Sequence, residues 1–169
     1  GRILPRCDLD QRSGRCGHAP STQRNHRAQR FGGNDGVRAD GVCAGLLAQA
    51  CEADLIEGIE IEGPFLSRER SGSQNANYLL APDIERAERL LEAAGGCAWA
   101  MAVSPAQEGA AALVEYLAQR GVLPAWAHTN ANSTIARYMN DLACALLESH
   151  GKTSLGHPVV DHLFNAMRM

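Results

Sequence analysis

Lysine is almost missing from this chain of 169 residues: of its sixteen basic residues only Lys152 is a lysine, the others being arginine. Aromatic residues make up only 5%, with Phe31 the single one among residues 1–40. No window approaches the roughly 18 uninterrupted apolar residues that span a bilayer. The first residues lack the charged-then-apolar layout of a secretory signal. The sequence therefore reads as a soluble, cytoplasmic protein with no membrane partner. The six cysteines include no C-x-x-C pair, which predicts free, mostly buried thiols rather than a disulfide frame. A zinc cluster drawn from Cys7, Cys16, His18 and His26 has spacing too loose to favour.

What is present is globular, with 45% hydrophobic and 21% charged residues and a length that suits one core. The net charge of −3 conceals an uneven distribution. Residues 1–40 carry eight arginines against four acids, whereas residues 41–169 carry eight bases against fifteen acids. The first segment is rich in Arg, Gly, Gln and Ser and shows neither helical nor strand periodicity. An arginine cluster is one route to nucleic acid, but with Phe31 as its single aromatic and no binding fold, an irregular leader is the better reading. Its composition also matches a G+C-rich gene read out of frame, which the nucleotide sequence would test.

From about Val37 the texture changes. Val42, Leu46, Leu47 and Ala50 mark the apolar face of a helix, followed by a strand over 55–61. After a polar loop, Pro82-Asp83 opens a helix with Ile84, Ala87, Leu90 and Leu91 on one face, stopped by Gly95-Gly96. A strand over 97–103, a helix over 107–119 with Leu113, Tyr116 and Leu117 inward, and a strand over 122–127 follow. Asn132-Ser133 caps a helix running to about Ser149 and closed by Gly151. A last short strand covers 157–161. Strand and helix alternate in units of about thirty residues, which predicts an α/β fold with a parallel sheet or barrel.

Three of the four strands deliver a metal-ligand type at the carboxyl end: Glu62, His128 and His162. In (β/α) barrels that end is where active sites assemble. A carboxylate at the tip of a buried strand is costly unless a cation meets it. Two neutral imidazoles and a carboxylate suit a divalent ion, Zn²⁺ first, with a position left for water. The spacing alone is not diagnostic, and each residue could instead merely cap its strand. His150 and His157, read as loop residues before the last strand, compete for the ligand role. In DHLFNAM (161–167) the backbone N–H groups after His162 face the site mouth and could hold an anion, or Leu163, Phe164 and Met167 simply begin a buried helix.

The blocks IEGIEIEGPFLS, AHTNA and DHLFNAM, in that order and spacing, resemble N-acetylglucosamine-6-phosphate deacetylase of the amidohydrolase superfamily. The resemblance covers 41–169. It implies a metal-dependent (β/α)₈ barrel that hydrolyses the acetamide of N-acetylglucosamine 6-phosphate to glucosamine 6-phosphate and acetate. Carried over by position, Glu62, His128 and His162 would bind the metal, while Ser73, Gln74, Asn165 and Ala166 would contact the sugar phosphate.

The chain departs from the family at several points. Gln74 stands where a histidine is usual, Glu60 where the family has His, Ala127 for Gly, and SPAQE (104–108) for an A-P-E segment. The Asp that acts as general base in the family comes from a later strand, beyond Met169. A full barrel takes about 250 residues, so roughly half a barrel is expected, weakly active or inactive as a deacetylase. Its alternative is a non-catalytic module that binds metal or sugar phosphate. Open sheet edges and an exposed apolar inner face would favour self-association.

Overall fold

The computed structural model describes residues 36–168. The expectations for residues 1–35, including the irregular leader, its cysteine–histidine cluster and nucleic-acid binding, lie outside the described residues. The first helix, α1 (Gly36–Glu52), begins before residue 41, so 36–40 are helical. Then come β1 (Ile59–Ile61), α2 (Ile84–Ala93), β2 (Ala98–Val103), α3 (Ala110–Arg120), β3 (Leu123–Trp126), α4 (Ser133–His150) and β4 (Val159–Val160). The four strands form one parallel sheet in the order β1-β2-β3-β4. Each neighbour in sequence is a neighbour in space, and a helix precedes each strand. Among the described residues no helix is long and apolar enough to cross a membrane.

Local chemistry sets the helix ends. The Asp83 side chain accepts the Arg86 N–H and the Asn132 side chain accepts the Ile135 N–H, which satisfies orphan donors of α2 and α4. Gly121 and Gly151 close α3 and α4 in the left-handed region. On the helix-facing side of the sheet, Ile59, Ile61, Met101, Val103 and Trp126 pack with Leu90, Leu113, Leu117 and Met139. On the other side Ala100, Ala102, Ala125 and Ala127 are fully buried with Leu66 and Leu79 from the loop after β1. These alanines are thus covered, where an exposed inner face was expected.

Several expectations need correcting. In α1 the buried residues are Ala44 and Ala48, whereas Val42 and Leu46 are 63% and 61% exposed. The reason is close approach: a Cβ on Gly95, just past α2, would lie 3.4 Å from the Ala48 Cβ, so only small side chains fit there. The first strand is shorter than the β-branched pattern suggested, and Leu55 is exposed in the preceding turn. Leu163 and Phe164 begin no buried helix. His162, Phe164 and Ala166 all have positive φ, which a right-handed helix forbids, and both apolar side chains are exposed. Cys43, Cys51, Cys97 and Cys144 are free, as expected, but half-buried rather than buried.

The rotated α1 face has a measurable consequence. Leu117→Ala in the core is expected to cost about 2–5 kcal/mol, while Leu46→Ala should stay within about 0.5 kcal/mol. Urea unfolding of the two variants, compared at equal m-value, checks both.

Candidate metal centre

Glu62, His128 and His162 each lie one or two residues past a strand end, and the fold brings all three together. Their ligand atoms lie within 4.8 Å of one another. Glu62 Oε1 is 3.2 Å from His128 Nε2 and 3.1 Å from His162 Nε2. The two imidazoles meet edge to face, with centroids 4.8 Å apart. Register explains the pairing of the histidines: Trp126 is level with Val160, so His128 and His162 follow at matching heights. Strict alternation beyond those strands would turn both rings to the helix side. Positive φ at His128 (40°) and His162 (28°) breaks that alternation, a strained backbone of the kind that collects at functional sites.

His128 is held from behind. Its Nδ1 lies 2.7 Å from the Arg70 carbonyl oxygen, and a carbonyl only accepts, so Nδ1 carries a proton. In the neutral ring Nε2 is then a bare lone pair aimed at a carboxylate oxygen. Two acceptors at 3.2 Å require a cation between or on them. Tetrahedral ligands about 2.0–2.1 Å from Zn²⁺ stand about 3.3 Å from one another, close to the two Glu62–histidine spacings. The donor set and its geometry therefore fit a divalent ion.

The loop after β1 lies over the site. The Ser67 N–H donates to the His128 carbonyl. At Gly72 (φ 55°) any Cβ would stand 3.2 Å from His128 Cε1 and 3.4 Å from Ala166 Cβ, so the close approach requires glycine. The Asn130 Oδ1 accepts from Arg70 Nε and Nη2, at 3.2 and 3.1 Å, and the Asn130 amide donates to Glu69. Thr129 holds the other flank: its N–H donates to the Ala166 carbonyl and its carbonyl accepts from Arg168.

No protein-family model matches the chain. The N-acetylglucosamine-6-phosphate deacetylase of Bacillus subtilis (strain 168) is 30% identical over 115 residues, 68% of this chain. The crystal structure of N-acetyl-D-glucosamine-6-phosphate deacetylase from Mycobacterium smegmatis superposes with TM-score 0.62 and 31% identity over 78% of this chain. The family resemblance is to N-acetylglucosamine-6-phosphate deacetylase. An Asp-to-Ala mutant of the mycobacterial deacetylase, in complex with N-acetyl-D-glucosamine-6-phosphate, superposes with TM-score 0.61 and 31% identity over 78% of this chain and 31% of that one. The chain spans 26% of the length of the curated Bacillus deacetylase and 32% of the mycobacterial chain.

The other residues picked from sequence are distributed unevenly around this centre. Ser73 is exposed and Gln74 half-buried, both in the loop that covers His128. Asn165 is exposed and its N–H donates to the His162 carbonyl, so that group is engaged within the turn rather than free for an anion. Ala166 lies against Gly72. His150 ends α4 instead of sitting in a loop, and His157 Nδ1 pairs with the Pro158 carbonyl, so neither joins the cluster. Gln107 donates to the Leu66 carbonyl at 2.6 Å and so helps seat the loop. Sequence reading missed Arg70, Glu69 and Asn130. Their only signal was the asparagine inside AHTNA.

The electrostatics are those of one carboxylate meeting two imidazoles. The hydrogen bond from His128 outweighs burial and, with that from His162, pulls Glu62 down to about 2 from 4.5. Burial opposes a charge on His128, but the Glu62 carboxylate and the Arg70 carbonyl win and raise it above 6.5. In metal-free protein Glu62 thus contributes stability that is present above pH 4.5 and lost as pH falls toward 2. His128 contributes stability that is present below 6.5 and lost as pH rises through its folded value. Both are fully present between 4.5 and 6.5. Urea midpoints measured against pH in chelator should peak in that window, and Glu62→Gln should flatten both flanks. A Glu62→Gln profile superimposable on the parent would contradict the pairing.

Proposed function

We propose that residues 41–169 form roughly half of a (β/α)₈ barrel and carry the metal-holding strands of a deacetylase acting on N-acetylglucosamine 6-phosphate. The observation that carries this reading is the convergence of Glu62, His128 and His162 at the carboxyl ends of parallel strands, within 4.8 Å. Similarity to deacetylases over 68% and 78% of the chain supports it.

Glu62, His128 and His162 would hold a divalent ion, Zn²⁺ first. When bound, such an ion polarises a carbonyl and lowers the pKa of a water. The chain's own residues do the rest. Glu62 keeps its charge at neutral pH and so remains a ligand. The Arg70 carbonyl fixes His128 with Nε2 facing the centre. Ser73 and Gln74, in the loop after β1, and Asn165 and Ala166, after His162, would meet the sugar phosphate, with Gln74 offering a neutral hydrogen bond. A phosphorylated sugar as substrate would suit a cytoplasmic setting. The edges β1 and β4 would associate with further strands or with another copy.

In the deacetylases that the sequence resembles, the proton-shuttling Asp comes from a strand beyond the counterpart of Met169. Residues 1–169 alone are therefore expected to turn over about 10²–10⁴-fold more slowly than a full-length relative. The assay is acetate release from N-acetylglucosamine 6-phosphate with added Zn²⁺, run beside Glu62→Gln. Slow release that needs both zinc and Glu62 supports the reading. Sugar-phosphate binding without acetate would favour a non-catalytic module, and neither binding nor release would overturn both.

A further inference from the structure

The polar ties around the tip of β3 can each be oriented from the partner's chemistry. The Glu69 carboxylate only accepts, so the Asn130 NH₂ faces it. That leaves Oδ1 toward Arg70, whose guanidinium only donates and does so through two nitrogens, Nε and Nη2. The two partners demand the same amide orientation, with no frustrated contact. The contact joins residues sixty positions apart and links the loop after β1 to the tip of β3. The backbone of the same Arg70 supplies the carbonyl on His128 Nδ1, at 2.7 Å.

We propose that Asn130 is a positioning residue for the metal centre. By clamping Arg70 and Glu69 to the tip of β3, it keeps the Arg70 carbonyl on His128 Nδ1 and thereby holds His128 in the tautomer whose Nε2 lone pair faces Glu62. Asn130 touches no reacting atom, and its effect is transmitted entirely through Arg70. The zinc part of this inference rests on the proposed metal reading. The tautomer part does not, because it concerns the metal-free ring. Partners of this kind behind a ligand histidine typically alter metal affinity by about 10–100-fold when removed.

The test uses the full chain with two readouts. The first is the long-range ¹H–¹⁵N spectrum of the histidine rings in chelator, at a pH raised until the ring nitrogens no longer shift and the rings are neutral. The second is Zn²⁺ affinity by calorimetry. The parent should show His128 with Nδ1–H. Asn130→Ala should show growth of the Nε2–H form and a loss of zinc affinity of about ten-fold or more. Arg70→Lys, which replaces the guanidinium fork with a single ammonium, should do the same and serves if Asn130→Ala fails to fold. Glu69→Gln still offers a carbonyl acceptor and should keep the parent's tautomer. A folded Asn130→Ala with an unchanged His128 tautomer would overturn the proposal, whatever its melting temperature. If the parent itself takes up no zinc, the metal reading fails, and the tautomer comparison still decides whether Asn130 positions His128.

Discussion

The proton that His128 Nδ1 gives to the Arg70 carbonyl determines what the centre can be. Once that nitrogen is a donor, the opposite one is a lone pair, and it points at a carboxylate that is itself nearly buried. The arrangement is fully satisfied with an extra proton or with a metal ion; with neither, the lone pair faces the carboxylate at a cost that the Arg70 carbonyl contact holds against. A merely structural histidine could satisfy both nitrogens with ordinary partners. Here two histidines converge on one carboxylate oxygen, which is hard to explain without a cation.

The remainder of the fold can be understood as what delivers those groups. Parallel pairing in sequential order places the three strand ends on one side of the sheet. Glu62 and His128 must meet across the intervening β2. On the face away from the helices that strand carries the small side chains of Ala100 and Ala102. Left-handed backbone at His128 and His162 turns the rings toward the carboxylate. The loop after β1 closes over the result, seated by Leu66 and Leu79 in the core, by Gln107 on the Leu66 carbonyl and by Gly72 against His128.

Much of this was legible in the sequence where the controlling chemistry is local. Asp83, Asn132, Gly121 and Gly151 mark helix ends through contacts within a few residues, and the helices begin and end close to where those residues place them. The three ligand-type residues were legible because strand-tip position is also a local property. Less visible was anything set by tertiary packing. The buried face of α1 depends on how near α2 comes, which no periodicity reveals, so Ala44 and Ala48 were passed over for Val42 and Leu46. The turn after His162 depends on backbone pairing with Thr129, so apolar residues there suggested a helix that does not form. Arg70 and Asn130 meet across sixty residues in segments without periodicity.

The departures from the deacetylase pattern leave the three ligand-type residues untouched. Glu60 is buried within β1, two positions before Glu62, and Gln74 changes a charge-capable position in the covering loop to a neutral one. The central claim is that Glu62, His128 and His162 together hold a divalent ion, in a chain that also carries partly exposed thiols. The zinc-edge X-ray absorption spectrum of the chain loaded with one equivalent of Zn²⁺ tests it most directly. The account predicts a first shell of nitrogen and oxygen at about 2.0–2.1 Å with imidazole outer-shell scattering. A sulfur shell at about 2.3 Å, or a zinc ion that washes away, would contradict it.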